Sequence, residues 1–296
     1  MDNTTIAVIG TGFMGVQIAC KALASGSTVR TYDPDVGAAE RAVLKLKGLF
    51  SLLGQAEKEK ELDDTWGKVF QSVSLAEAVT GSDIVIEAVS EKPELKKQVL
   101  SEVEAASPAH AIIGSNSSSI PVTRYENALA TRHRLLNIHF DAPLLDKPLV
   151  DIMPGSQTTP ETLETARSWI KHIGCSPVIV KKPIMGYLGN RLWRAVKRES
   201  LKLWAEGYGD YKEIDRSWML QIGVDTGPFG MMDVVGLDVV YDIEMIYFND
   251  SLDPQDKPPD ALKAMIEQGE LGLKTGRGFY DWTDPEFLKP GFLSGE

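Results

Sequence analysis

The chain has 296 residues, 43% hydrophobic and 25% charged, so it can build real cores and is not disordered by composition. Its length favours two domains, or one large domain with an appendage. Thirty-one Lys and Arg against 42 Asp and Glu give a net charge of −11, which argues against a nucleic-acid or anionic-membrane binder. No apolar run approaches the roughly 20 residues that a membrane helix needs, and the start shows no basic, apolar leader pattern. Cys20 and Cys175 are too few for a disulfide framework or a thiolate metal centre. A soluble, cytoplasmic globular protein without bound metal is expected.

Thr5 to Ile9 is apolar on both faces and predicts a buried parallel strand. A helix follows through about Ala24, ended by Ser25 and Gly26. Thr28 to Tyr32 predicts a second strand, Ala38 to Leu53 a helix, and the lysine-rich stretch Ala56 to Asp64 a solvated helix or turn. Further strands are expected at Ile84–Ala88, Ala111–Gly114, Leu135–His139, Leu149–Met153 and Pro177–Val180, with a helix at Glu94–Ala106. Strands alternating with helices imply a doubly wound α/β domain that binds ligands at the carboxyl ends of its strands. Beyond Lys181-Lys182-Pro183 the spacing turns helical, at Leu188 to Leu203, Ile214 to Ile222, Met231 to Met245 and Ala261 to Glu267. The boundary is placed near Pro183. Residues 1–183 then form the α/β domain and 184–296 a smaller all-α domain.

Gly10-Thr11-Gly12-Phe13-Met14-Gly15 follows the first strand and opens the first helix. Gly10 suits the tight turn, Gly12 lets backbone approach a pyrophosphate, and Gly15 lets the helix pack close to the sheet. The helix N-terminus supplies N–H donors and the positive end of its dipole. Asp33 ends the second strand, 18 residues beyond Gly15, where a carboxylate would accept from both adenosine ribose hydroxyls. It would also repel a 2′-phosphate, which favours NAD over NADP. A Rossmann-type NAD-binding domain is the reading; a glycine-rich turn without ligand is the alternative.

Further motifs follow in order: Ser115-Asn-Ser-Ser118-Ser, Asn137-Ile-His139-Phe140, Leu149-Val-Asp151, Gly186-Tyr-Leu-Gly-Asn190-Arg, Gly227-Pro-Phe229 and Lys274-Thr-Gly-Arg-Gly-Phe-Tyr280. From the first strand to near Trp282 the chain resembles the 3-hydroxyacyl-CoA dehydrogenases. L-gulonate 3-dehydrogenases (the lambda-crystallin relatives) and diketoreductases share the pattern. The resemblance implies oxidation of a 3-hydroxyacyl-CoA, or a related 3-hydroxy acid, with NAD. Action on a substrate without CoA is the alternative, as is a catalytically silent crystallin-like protein.

The resemblance makes His139 the general base, because alcohol oxidation needs a group to take the hydroxyl proton. His110, His133 and His172 have no motif around them and read as packed or surface residues. Asp151 would orient His139, where the acyl-CoA enzymes usually carry the longer glutamate; an exposed acid at a strand end is the competing reading. Ser118 and Asn190 match the family's substrate-polarising pair. Their alternatives are a turn-capping hydroxyl and a solvated helical stripe with Arg194 and Lys197. Glu91, Lys96 and Lys274 match positions that contact the cofactor, with ordinary loop or turn polarity as the alternative. The family usually continues from the histidine to an Asn-Pro, whereas this chain reads His139-Phe140-Asp141-Ala142-Pro143. The resemblance and the apolar run Met231 to Tyr247 together imply a homodimer joined through the second domain.

Overall fold

The computed structural model describes residues 4–295 apart from 53, 143 and 145–147; the expected helix end at Leu53 and the motif residue Pro143 lie outside these. Two compact units result, one up to Leu188 and one from Gly189 onward. In the first, the strands are β1 (Thr5–Ile9), β2 (Thr28–Tyr32), β3 (Phe70–Gln71), β4 (Ile84–Glu87), β5 (Ile112–Ser115), β6 (Leu135–Phe140), β7 (Leu149–Pro154) and β8 (Ser176–Ile179). They form one sheet in the order β3-β2-β1-β4-β5-β6-β7-β8. Its helices are α1 (Phe13–Ala24), α2 (Ala38–Leu52), α3 (Ala56–Trp66), α4 (Leu75–Val79), α5 (Pro93–Ala106) and α6 (Pro160–His172).

The alternation of β1 explains its place at the centre. Ile6 and Val8 join a core with Ile18 and Trp169, while Ala7 and Ile9 join another with Val85, Leu100 and Tyr125. Both faces are covered, as a central parallel strand requires. Strand order reverses between β1 and β4, so a ligand crevice opens where Gly10 and Ala88 leave the sheet. The alternation of strands and helices read from the sequence runs up to β5; beyond it β6 and β7 pair antiparallel, and the other neighbours are parallel. Three elements were not foreseen: β3, α4 and α6. The last starts on Thr159, whose hydroxyl accepts from the Thr162 N–H, with Pro160 in its first turn.

The second unit holds α7 (Gly189–Ala205), α8 (Tyr211–Ile222), α9 (Pro228–Val235), α10 (Leu237–Ser251) and α11 (Asp260–Glu267). The single helix expected over Met231–Met245 is two, because Gly236 at φ +101° ends α9 and starts α10 in a conformation few other residues tolerate. Nor is that run buried all round: Val234, Val235, Val239 and Ile246 are exposed. The alternative reading of Asn190, Arg194 and Lys197 as one solvated stripe does not hold for Arg194 and Lys197, which are buried. Both pair with Glu244, at 2.8 and 3.2 Å, and Arg194 also meets Asp256 at 2.9 Å. Among the described residues no helix is long and apolar enough to cross a membrane.

Two buried carboxylates fasten the chain end into this unit. Asp233 accepts from the N–H groups of Phe279 and Tyr280 and from the Trp282 indole. Asp215 accepts from the N–H groups of Phe229 and Gly230 and from the Tyr280 hydroxyl. Burial outweighs these donors at Asp215 and pushes its carboxyl from 3.8 up to about 6. In that window the folded state holds a proton that the unfolded state has lost, so this contribution to stability is present below 3.8 and lost as pH rises through 6. Wild type should therefore lose about 2 kcal/mol relative to Asp215→Asn between about pH 4 and about pH 6.5. A difference that stays constant in urea titrations across that range would contradict the assignment.

Candidate active site

The glycine loop is shaped by contacts that leave no room for side chains. A Cβ on Gly10 would lie 2.6 Å from the Ala88 carbonyl oxygen, and one on Gly15 would lie 1.9 Å from that of Gly10. A Cβ on Gly12 would meet nothing within 4 Å, so the backbone there faces open space. Gly12 caps α1 without a side-chain hydrogen bond. The first-turn N–H groups of Phe13, Met14 and Gly15 thus keep the orphan donors of a helix start. Asp33 is half-buried beside them, with one carboxylate oxygen accepting from the Thr11 N–H at 2.8 Å and the other from the Asp35 N–H at 2.9 Å. Each oxygen retains a lone pair for a ribose hydroxyl. Open backbone at Gly12, free donors at the helix start and the tethered Asp33 fit the pyrophosphate and adenosine ribose of NAD.

The tip of β4 carries a buried ionic cluster. Glu87 is fully buried and accepts from Lys96 Nζ at 2.8 Å, from the Val89 N–H at 2.8 Å and from the Ser115 hydroxyl at 2.6 Å. Lys96, itself 1% exposed on α5, also lies 3.2 Å from Glu91. Glu91 in turn receives the Ser117 hydroxyl and, at 3.3 Å, the Ser119 N–H. Lys96 is therefore no loop lysine; it locks the loop bearing Glu91 onto the sheet. Sequence reasoning passed over Glu87, although an acid ending the apolar run Ile84-Val-Ile with a lysine nine residues on is the signal.

His139 and Asp151 are direct cross-strand partners of β6 and β7, both buried. His139 Nδ1 lies 3.4 Å from Asp151 Oδ2, the contact that a shorter aspartate makes in place of glutamate. On its face, the imidazole stacks on Tyr187, with ring centroids 4.8 Å apart and planes 7° from parallel. The Tyr187 hydroxyl donates to the Ser117 carbonyl at 2.5 Å, and burial raises that phenol well above its usual range. No role had been read for Tyr187; a partner 48 residues away in sequence leaves no periodic trace. Ser118 lies exposed in the bend after β5, next to Ser117. Asn116 anchors that bend, its Oδ1 accepting from the Phe140 N–H.

Asn190 and Lys274 belong to the other unit. Asn190 is exposed in the first turn of α7, and Lys274 pairs with Asp238, whose carboxyl the lysine holds below its usual range. Within the first unit, then, Asp151, His139, Tyr187, Ser117, Glu91 and Lys96 share one connected set of contacts at the carboxyl end of the sheet, and Ser118 follows Ser117 in the same bend. A histidine with a buried carboxylate on one ring nitrogen can exchange a proton through the other.

Comparison with known proteins gives this chemistry a family. The model of the 3-hydroxyacyl-CoA dehydrogenase NAD binding domain matches residues 5–183, and that of the 3-hydroxyacyl-CoA dehydrogenase C-terminal domain matches residues 186–282. The chain is 30% identical over 290 residues to a 5-formyl-3-hydroxy-2-methylpyridine 4-carboxylate 5-dehydrogenase of Mesorhizobium japonicum, covering 96% of this chain and 92% of that one. It is also 30% identical over 290 residues to the mitochondrial hydroxyacyl-coenzyme A dehydrogenase of Sus scrofa, covering 94% and 90%. A solved diketoreductase structure superposes with a TM-score of 0.83 at 29% identity, covering 95% of this chain and 99% of that one. Fold, glycine loop and relatives together make this an NAD-dependent oxidoreductase. It belongs to the 3-hydroxyacyl-CoA dehydrogenase family.

Asp33 sets a measurable preference. A 2′-phosphate would face its carboxylate, and Arg41 of α2 is paired with Asp35. NADPH should bind at least about tenfold more weakly than NADH in calorimetry, since like charges at contact distance cost more than 1.4 kcal/mol. Equal affinities would contradict this.

Proposed function

We propose that the protein interconverts a 3-hydroxyacyl-CoA, or a related 3-hydroxy acid, with its 3-oxo form. The buried His139–Asp151 pair at the carboxyl end of the sheet is the observation that carries this reading. When bound, NAD supplies the hydride acceptor for oxidation, and its reduced form the donor for reduction. His139 takes the substrate hydroxyl proton at Nε2, the nitrogen that does not face Asp151. Asp151 accepts from Nδ1–H, which fixes the tautomer and stabilises the imidazolium. In the reducing direction the imidazolium returns that proton. Ser118 and Asn190 hydrogen-bond the reacting oxygen, an assignment that follows the family resemblance, and stabilise its developing charge. Gly10 through Gly15 cradle the pyrophosphate and Asp33 the adenosine ribose. Glu91, Lys96 and Lys274 serve the cofactor side by the same resemblance, with Lys96 acting through the Glu91 it holds.

A substrate without CoA is the second reading, and two observations favour it. Ala142 stands where the family usually has asparagine, and the relatives include enzymes named for a pyridine carboxylate and for dicarbonyl compounds. In the lysine-rich segment after β2, which offers cations near the cleft or simply a solvated face, Lys47 is paired with Asp63 and Lys45 lies over the Phe13 ring. An NAD-coupled panel of 3-hydroxybutyryl-CoA, longer 3-hydroxyacyl-CoAs, free 3-hydroxy acids and L-gulonate separates the readings. On the best substrate, His139→Gln should lower turnover by at least about a hundredfold while NADH binding stays intact. Near-normal turnover would assign the proton to another group.

The exposed apolar side chains of α9 and α10 (Val234, Val235, Val239, Ile246) support a homodimer joined through residues beyond Pro183. Light scattering should report about twice 32.5 kDa at micromolar concentration. A value of 32.5 kDa throughout would exclude it.

A further inference from the structure

We propose that Tyr187 is a positioning residue for His139, holding the imidazole plane against the Ser117–Ser119 bend. This rests on the reading of His139 as the base. Left to Asp151 alone, the imidazole has one long contact of 3.4 Å, which leaves the ring rotation weakly constrained. The near-parallel, offset stack supplies a flat wall against one face of the ring. Tyr187 is itself fixed at both ends. Its hydroxyl is tied to the Ser117 carbonyl, and the preceding Gly186 N–H donates to the Ser119 carbonyl at 3.1 Å. Met153, Val180 and Ile184 pack around its ring, and none of the side chain is exposed.

The backbone argues that this placement is specific. Tyr187 has φ +52°, and among the described non-glycine residues only Leu252 shares a positive φ. Leu252 caps the end of α10, where the left-handed conformation is ordinary. For a buried aromatic residue in a turn it is disfavoured, and persists where surrounding contacts over-determine it. Simple packing would be met by many apolar residues. A flat face on His139 together with a donor to Ser117 is met by tyrosine. Because burial keeps the phenol protonated, the donor is present at every working pH. The outcome is a rigid link between the base and the bend that carries Ser118.

The test combines kinetics on the fastest substrate of the panel above with NMR of the imidazole groups. The chain has four histidines, so the His139 signals are assigned by their absence from His139→Gln. Tyr187→Phe keeps the stack and loses the hydroxyl; Tyr187→Leu loses both. The His139 ring-proton signals should hold their displaced position in the Phe variant and leave it in the Leu variant. Turnover should fall about threefold for Tyr187→Phe and at least about tenfold for Tyr187→Leu, with KM and NADH affinity within about twofold of wild type. In the His139→Gln background, Tyr187→Leu should add nothing, as coupling through one residue requires. An unmoved His139 signal in Tyr187→Leu, or an equal further loss in the His139→Gln background, overturns the proposal. Near-normal turnover of His139→Gln alone instead overturns the reading of the base, so the two failures are told apart. Should the Leu variant not fold, the Phe variant decides by its turnover.

Discussion

His139 and Asp151 face each other because β6 and β7 run antiparallel in one register, and side chains alternate along a strand with a period of two. A slip of either strand by one residue would turn its group to the opposite face, away from its partner. The register is held from the other side of the sheet. Leu136, Ile138, Phe140, Val150 and Ile152 pack into the same core as Trp169 and Ile170 of α6. On the site face stand Asn137, His139, Asp151 and Met153 in alternation with them. The His139–Asp151 pairing is thus enforced by apolar packing on the opposite face. Even the neighbouring polar group is spent on scaffolding, since Asn137 accepts from the Val122 N–H and donates to the Ile120 carbonyl.

A second constraint acts at the other end of the crevice. Gly15 passes so near Gly10 that α1 can start only where it does, which aims its free N–H groups across the reversal in strand order. Asp33 is bonded to Thr11, so the acid at the end of β2 is tied directly to the glycine loop. Further along the same edge, Lys96 between Glu87 and Glu91 does the equivalent for the loop after β4. An ion pair buried this deeply is costly to break, because the partner left behind would be an uncompensated charge. Its service is placement rather than net stability.

Local features were the legible ones. Strand, glycine turn, helix and Asp33 lie within 30 residues of one another, and each has a sequence signature of its own. The antiparallel turn of the sheet at β7 left no such mark, since a buried strand is apolar whichever way it runs. The α6 start was visible in Thr159-Pro160-Glu161, but charged residues dilute the stripe of Leu163, Ala166, Trp169 and Ile170. Burial of Arg194 and Lys197 could not be read from composition, because Glu244, which neutralises both, comes from a different helix. The break at Gly236 was readable; a run of apolar residues on both sides hid it. The role of Tyr187 depends on contacts made across 48 and 70 residues, to His139 and Ser117, and belongs to tertiary structure alone.

The fastening of Asp233 bears on the order in which the polypeptide is made. Its three donors come from Phe279, Tyr280 and Trp282, all 46 to 49 positions later. Until those residues leave the ribosome, the carboxylate must stay hydrated, and Phe229, Met232 and Leu237 lack Phe279 and Tyr280 as core partners. The β-sheet unit meets no such delay, since its strands close without any residue past Leu188. Synthesis therefore delivers a finished nucleotide-binding half while the helical half still waits for its final segment. During that interval the apolar side chains of the helical half stay open to chaperones.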